Sequence, residues 1–418
     1  MGLILKSENG DEMRNIYTSI EIVNQSIRLV VAELIADKLH VLSAKETYTN
    51  AIKHGEVKSP SILTKDIVKL KNETEDYLKM AINKALVLIN ASNAQYQLVE
   101  GQSTITNADK LVKADDISRV MQACVYNKIA EAMELITVLP IEFMVDSTKV
   151  SRPINRNGNK ITAKAVMITV PKINVYPVVQ AIDNAGIETI DLCVSPIADY
   201  FYTFYHETNQ RRGIIVNINN DTTTIGYYNK GIVINSETIF VGVNNIISDL
   251  AYVFDLSSAE SKKLYERFAL STTRLANVNE TMSVINQNKE ELNLNQYEVS
   301  EVVMARLAEI FKLAKMSIKH LTSKEINYIM FTGVGSETPG FKSLLNETVG
   351  TGIKIASVNT MGARNNGFIS TLGSIYYFAY KLQLKGKRYT MYEEPEHLEE
   401  EDKGIVGKML NIFKDEEE

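Results

Sequence analysis

Two stretches of this 418-residue chain repeat one pattern. In "SIEIVNQS" (19–26) and again in "GIIVNINNDTTTIGYY" (213–228), an apolar strand-like run enters a polar turn and a second run leaves it. Each unit opens one half of the chain. A sequence that builds the same hairpin twice, about 200 residues apart, points to two halves that start alike. The second half adds "INYIMFTGVGSETPGFKSLLNE" (326–347), a strand, a glycine turn and a helix. Duplicated hairpins with a glycine junction predict an α/β fold of two lobes that clamps a nucleotide in its cleft.

The stretches between these units read as ordinary elements. Residues 15–46 predict a β-meander with turns at Asn24-Gln25 and Asp37-Lys38, followed by a helix over about 64–85 and a buried strand at 85–91. Residues 92–172 form a compact α/β stretch of their own. It holds an amphipathic helix in "LVKADDISRVMQACVYNKIAEAMEL" (111–135), beginning after Asp115-Asp116, then strands in "IEFMVDS" and "AKAVMITV". A helix (174–185) and a strand (187–193) lead to the second hairpin. Two helices follow in 241–270 and a long amphipathic one in 293–321.

Composition excludes several function classes. A net charge of −6, with no basic stripe interleaved with aromatics, argues against nucleic acid as a partner. The two cysteines, Cys124 and Cys193, lie far apart, and the five histidines never fall at metal-ligand spacing, so a disulfide framework or zinc site is not expected. The start reads without a signal peptide, and no apolar run approaches the roughly 20 residues a membrane-spanning helix needs. The expectation is a cytosolic protein.

In a fold of this kind each hairpin turn points backbone N–H groups at a phosphate. The acid ending the strand before it holds Mg²⁺ through water. Glu21 is that acid in the first hairpin, with Asn24 and Gln25 in the turn. In the second, Asn217 stands at the acidic position and Asn219, Asn220 and Asp221 at glycine-like ones; Asn and Asp tolerate the left-handed backbone region better than other non-glycine residues. Thr222 and Thr223 offer hydroxyls to phosphate oxygens, whereas Asp221 repels them unless a cation intervenes. Gly333, Gly335 and Ser336 follow the apolar strand and would pack on adenine and ribose. Glu260 and Lys263, three apart on a helix, would bracket the ribose or form a solvated ion pair.

In this order the motifs resemble FtsA, the actin-like family of bacterial cell division, from about residue 14 to the last turn. "YTSIEIVNQSIRLVVAEL" is similar to its first phosphate loop, "GIIVNINNDTTTIGYYNKGIV" to its second and "MFTGVGSETPGF" to its adenosine motif. In "IFVGVNNIISDLAYVFDLSSAESKKLYERFA", Gly242, Asp249, Glu260 and Lys263 stand at matching positions. The resemblance implies a first actin-like lobe over 14–91 and 173–212, an inserted subdomain over 92–172 and a second lobe over 213–383. It further implies ATP with Mg²⁺ as cofactor, filament formation and recruitment of FtsZ, through its C-terminal tail, to the cytoplasmic face of the membrane at the division site, among other divisome proteins. Departures accompany it: Glu21 replaces the usual Asp, Val23 a Gly and Asn217 a second Asp, and glycines are absent at 219–221. With these departures the expectation is a nucleotide-binding structural protein, at most a weak ATPase, with no residue assigned as general base. Three rivals stay open: a pilus-assembly type of actin-like scaffold, a pseudo-ATPase without nucleotide, and a small-molecule kinase.

The tail is a separate physical matter. In "GIVGKMLNIFK" (404–414), a helix turning 100° per residue puts Ile405, Val406, Met409, Leu410, Ile412 and Phe413 within an arc of roughly 160°. Eleven residues cannot span a bilayer but can lie in its interface. The acidic run over 384–403 reads as a solvated tether.

Overall fold

The computed structural model describes residues 14–392 except 24, 54, 206–210, 350–352 and 364. The first lobe begins with the meander β1 (Ile16–Val23), β2 (Ser26–Ile35) and β3 (Lys38–Tyr48), its second turn falling at Ala36-Asp37, one residue before the expected Asp37-Lys38. A small hairpin, β4 (Ile52–Lys53) and β5 (Glu56–Val57), leads to α1 (Pro60–Leu78) and β6 (Lys84–Ile89). The helix is shorter than expected because Lys79 takes a left-handed conformation that stops it.

The inserted unit is an antiparallel sheet backed by one helix: β7 (Gln95–Thr104), α2 (Ala114–Val125), β8 (Met133–Val145), β9 (Thr148–Val150) and β10 (Lys160–Pro171), in the order β7-β10-β8-β9. Here the helix expected to begin after Asp115-Asp116 and run on toward 135 is corrected at both ends. It starts at Ala114, where the Asp116 carboxylate accepts the Lys113 N–H. It ends at Val125, and Met133, Glu134 and Leu135 instead open β8, paired with β10. Its apolar face (Ile117, Val120, Met121, Cys124) fills a separate core with Val99, Phe143, Ile161 and Ala163.

The chain then returns through α3 (Lys172–Asn184), β11 (Glu188–Val194) and α4 (Ser195–Phe204). The second lobe repeats the plan with β12 (Gly213–Ile218), β13 (Thr223–Asn229), β14 (Ile232–Ile239), α5 (Val243–Val253), α6 (Ser258–Phe268), β15 (Thr281–Ile285), β16 (Glu291–Asn295), α7 (Gln296–Leu321), β17 (Tyr328–Thr332), α8 (Phe341–Thr348) and β18 (Lys354–Ile355). The two main sheets have one topology. Each is an antiparallel meander whose first strand is flanked by two parallel strands: β3-β2-β1-β6-β11 in one lobe, β14-β13-β12-β17-β18 in the other. This duplication is the actin-like α/β architecture.

The last helix, α9 (Ile369–Lys385), corrects the expected domain boundaries. Although it follows the second lobe in sequence, its apolar residues Leu372, Ile375 and Phe378 pack with Tyr17, Val30 and Leu86 on the first lobe's sheet. The side of β1 away from α1 would otherwise be bare. Nor does a tether begin at residue 384. Met391 is buried and its N–H bonds the Ile16 carbonyl at 2.9 Å, so the chain stays docked through Tyr392. Residues 393–418, with the apolar stripe from Ile405 to Phe413, lie outside the described residues.

Candidate functional site between the lobes

A cavity of 710 Å³ lies between the lobes. The first hairpin turn (Gln25, Ser26) and the second (Asn220) meet at one end; Lys262, Tyr265 and Val334 line the other. It lies where the sequence reading expects a nucleotide. Its chemistry is decided by what the turns bind.

They bind each other. The Gln25 backbone N–H, free to meet a phosphate in the sequence reading, donates to Asp221 Oδ2 at 3.2 Å. Asp221 Oδ1 accepts from Asn244 Nδ2 at 2.8 Å, and Asn220 Nδ2 donates to Ser26 Oγ at 2.9 Å. The N-terminus of α5, a ready anion site by its free N–H groups, is likewise engaged: Val243 N bonds Asn219 O at 3.1 Å and Asn244 N bonds Asn220 O at 2.7 Å. Gly242 makes that approach possible, since a Cβ there would stand 2.4 Å from Asn219 O. Its role is close packing, where ligand contact was expected. The Thr223 hydroxyl donates to Val241 O at 2.8 Å, and Thr222 is buried with its carbonyl accepting from Asn219 N. Asn24 lies outside the described residues.

Beneath the turns runs a charged row. Register pairs Glu21 on β1 with Arg28 on β2, and Arg28 with Glu46 on β3. Arg28 is 1% exposed and Glu21 fully buried. The guanidinium donates to Glu21 Oε2 at 3.2 Å, to Glu46 Oε1 at 3.0 Å and, across the lobes, to Asn219 Oδ1 at 2.9 Å. Burial raises the Glu21 carboxyl above its ordinary range, and Arg28 opposes that rise by its charge and its hydrogen bond. Removing either member of such a pair typically costs about 3–5 kcal/mol. Glu21 therefore meets a cation belonging to the chain, where the sequence reading gave it water-held Mg²⁺.

Behind the row, Asn217 Nδ2 on β12 donates to Asp199 Oδ2 on α4 at 2.9 Å, and Ser370 Oγ on α9 donates to Asp199 Oδ1 at 2.7 Å. This triad joins both lobes and the last helix. Burial pushes the Asp199 carboxyl up to about 7; the hydrogen bonds from Ser370 and Asn217 pull it down, and the charge of Glu21 adds to the rise. Arg28, Glu46, Asp199 and Ser370 all escaped the sequence reading. Strand register finds the first two: a two-residue turn at 24–25 sets 21 against 28.

At the other end the glycine junction is a scaffold. Gly333 has φ +83°, and a Cβ would collide with Asn217 Oδ1 and Ile218 O at 2.3 and 2.5 Å. Gly335 packs on Ile218, and Ser336 Oγ donates to Gly333 O at 2.6 Å while accepting from Asn366. Val334, Glu337 and Thr338 line the cavity in their place. On α6 the cleft-facing residues are Ser258, Lys262, Tyr265 and Glu266. Glu260 and Lys263 form a partly exposed ion pair at 3.6 Å, and the Glu260 N–H is capped by Ser257. The helix presents to the cleft the residues beside the expected pair.

ATP with Mg²⁺ thus finds a cavity large enough for a nucleoside but a poor fit at its phosphate end. Glu46 lines the cavity and Asp221 lies beside Gln25; the Gln25 N–H, the Asn244 amide and the Arg28 Nε and Nη1 are engaged by groups of the chain, and the buried Arg28 Nη2 is left without a partner.

Comparison with solved structures places this geometry. The chain superposes on a protein of a PilM–PilN type IV pilus biogenesis complex with a TM-score of 0.58 at 13% identity, covering 86% of this chain and 98% of the other. It superposes on MreB5 of Spiroplasma citri bound to ADP with a TM-score of 0.55 at 10% identity, covering 89% and 98%. The class is an actin-like protein with an inserted α/β subdomain. Residues 92–169 match the family model of the SHS2 domain inserted in FtsA. Over 385 residues the chain is 21% identical to cell division protein FtsA of Bacillus subtilis, covering 91% of this chain and 87% of that one. It is 24% identical to FtsA of Enterococcus hirae, covering 87% and 83%. Its similarity to these FtsA proteins runs over about nine tenths of the chain.

Proposed function

We propose that the chain is a cell-division scaffold that assembles into filaments and ties FtsZ, gripped by its C-terminal tail, to the cytoplasmic face of the membrane at the division site. The observation that carries this reading is similarity to FtsA over about nine tenths of the chain, together with an SHS2 domain at 92–169. Among the described residues no helix is long and apolar enough to cross a membrane. Lipid contact falls to Ile405, Val406, Met409, Leu410, Ile412 and Phe413. Acidic residues follow that stripe at once, so anionic lipid repels its flank and adhesion rests on apolar burial. One such helix holds weakly, and many on one polymer hold strongly.

Nucleotide enters the reading as a ligand of the interlobe cleft. Of its two versions, ATP with Mg²⁺ and none, the bond from Gln25 to Asp221 favours the second. Co-sedimentation with neutral and anionic vesicles tests the scaffold. The full chain is expected to pellet with both, and a chain ending at residue 403 to stay in the supernatant. Undiminished pelleting of the shortened chain refutes the lipid assignment, and failure to bind an FtsZ tail peptide by fluorescence anisotropy refutes the tether.

A further inference from the structure

We infer that Arg28 is a built-in interlobe ligand: its guanidinium joins the two lobes at the place where a nucleotide's phosphates and their cation would join them, and the lobes close without nucleotide. The inference goes beyond the scaffold reading and does not depend on it, since it concerns only how the lobes are held together.

The geometry is specific. Arg28 belongs to β2 of the first lobe, yet its Nη1 donates to Asn219 Oδ1 of the second at 2.9 Å. The same nitrogen donates to Glu21, and Nε donates to Glu46. A guanidinium spreads its donors over a rigid plane, so one side chain can hold two carboxylates and an amide oxygen at once, which a single ammonium does poorly. Two carboxylates offset its charge, and of its nitrogens only Nη2 is without a partner. Three further bonds cross at the same level. Gln25 N donates to Asp221, Asn220 donates to Ser26, and Asn244 donates to Gln25 Oε1 at 3.4 Å. Every one uses a residue of a hairpin turn or of the α5 N-terminus, the groups a phosphate would recruit in this architecture. A triphosphate would have to break these bonds and come to rest beside Asp221 and Glu46.

The test uses the full chain with donor and acceptor dyes on Tyr77→Cys and Tyr252→Cys, two exposed positions on opposite lobes. Both native thiols are buried, which makes the labelling selective. Energy transfer is expected to be the same with and without millimolar Mg-ATP or Mg-ADP. Thermal midpoints should move by less than about 1 °C, because binding raises stability only by mass action on a ligand the folded state holds. Arg28→Ala is expected to lower transfer by separating the lobes. Should that variant not fold, Arg28→Lys keeps the charge while losing the planar span, and it is expected to lower transfer as well. A nucleotide-driven rise in transfer or midpoint in the unsubstituted protein overturns the inference. So does unchanged transfer in Arg28→Lys.

Discussion

Replacing Asp199 by Asn gives a direct reading of the buried triad. In the unfolded chain this carboxyl ionises near 3.8; in the folded protein burial moves it to about 7. Between those values the folded state keeps a proton that the unfolded state has lost, so stability falls as pH rises, by about 1.36 kcal/mol per pH unit. The contribution is intact below about 3.8 and gone above about 7. From pH 5 to pH 8 the loss attributable to Asp199 is about 3 kcal/mol on that scale. An amide has no such titration. It also suits the site: Asn217 can turn its Oδ1, which has no hydrogen-bond partner, toward the new NH₂ group. Glu21, raised likewise, is present in both proteins and largely cancels in the comparison. Urea unfolding followed by circular dichroism at pH 5 and pH 8 measures the effect. Asp199→Asn is expected to gain about 3 kcal/mol on the unsubstituted protein between the two pH values. Parallel profiles for the two proteins would refute the assigned burial and the triad's role in it.

Two further outcomes follow from the packing. Gly242→Ala should destabilise the second lobe by about 1–3 kcal/mol in urea unfolding, because the added methyl meets backbone oxygens of Asn219 and Asn220; a change below about 0.5 kcal/mol would count against the close approach. Burial pushes the Cys124 thiol up to about 11 and Cys193 higher still, so a thiol reagent at pH 8 should modify neither in the native protein and both once it is unfolded. Stoichiometric labelling of the native state would contradict this.

Much of the architecture was legible because it is written in short-range pattern. The turn at 24–25 and the strand-to-helix switch around Gly333 depend on period and on turn residues, which a single sequence displays. The stretch 126–135 misled because "NKIAEAMEL" has good helix formers, while pairing with β10 commits Met133, Glu134 and Leu135 to a strand. The position of α9 was hidden for another reason: chain order puts it with the second lobe, and only burial of the bare side of β1 brings it to the first. At the cleft, position was readable and occupancy was not. Asp221 was recognised as hostile to phosphate, but its partner is a backbone N–H 196 residues away. Asp199 lies in an otherwise apolar helix opening, "SPIADYF", and its partners come from two distant elements. Sequence spacing carries no trace of such encounters.

The return of the chain end to its beginning has a mechanical meaning. Met391 bonds to Ile16 on the first strand, and α9 lies against that strand's sheet. A pull applied beyond Tyr392 therefore enters at the margin of β1 and spreads into the five-stranded sheet and the helix beside it. The route enters the sheet that carries Glu21 and Arg28, and through Ser370 on the last helix it also reaches the triad with Asp199 and Asn217. Tension on the tail would load the first lobe before the second.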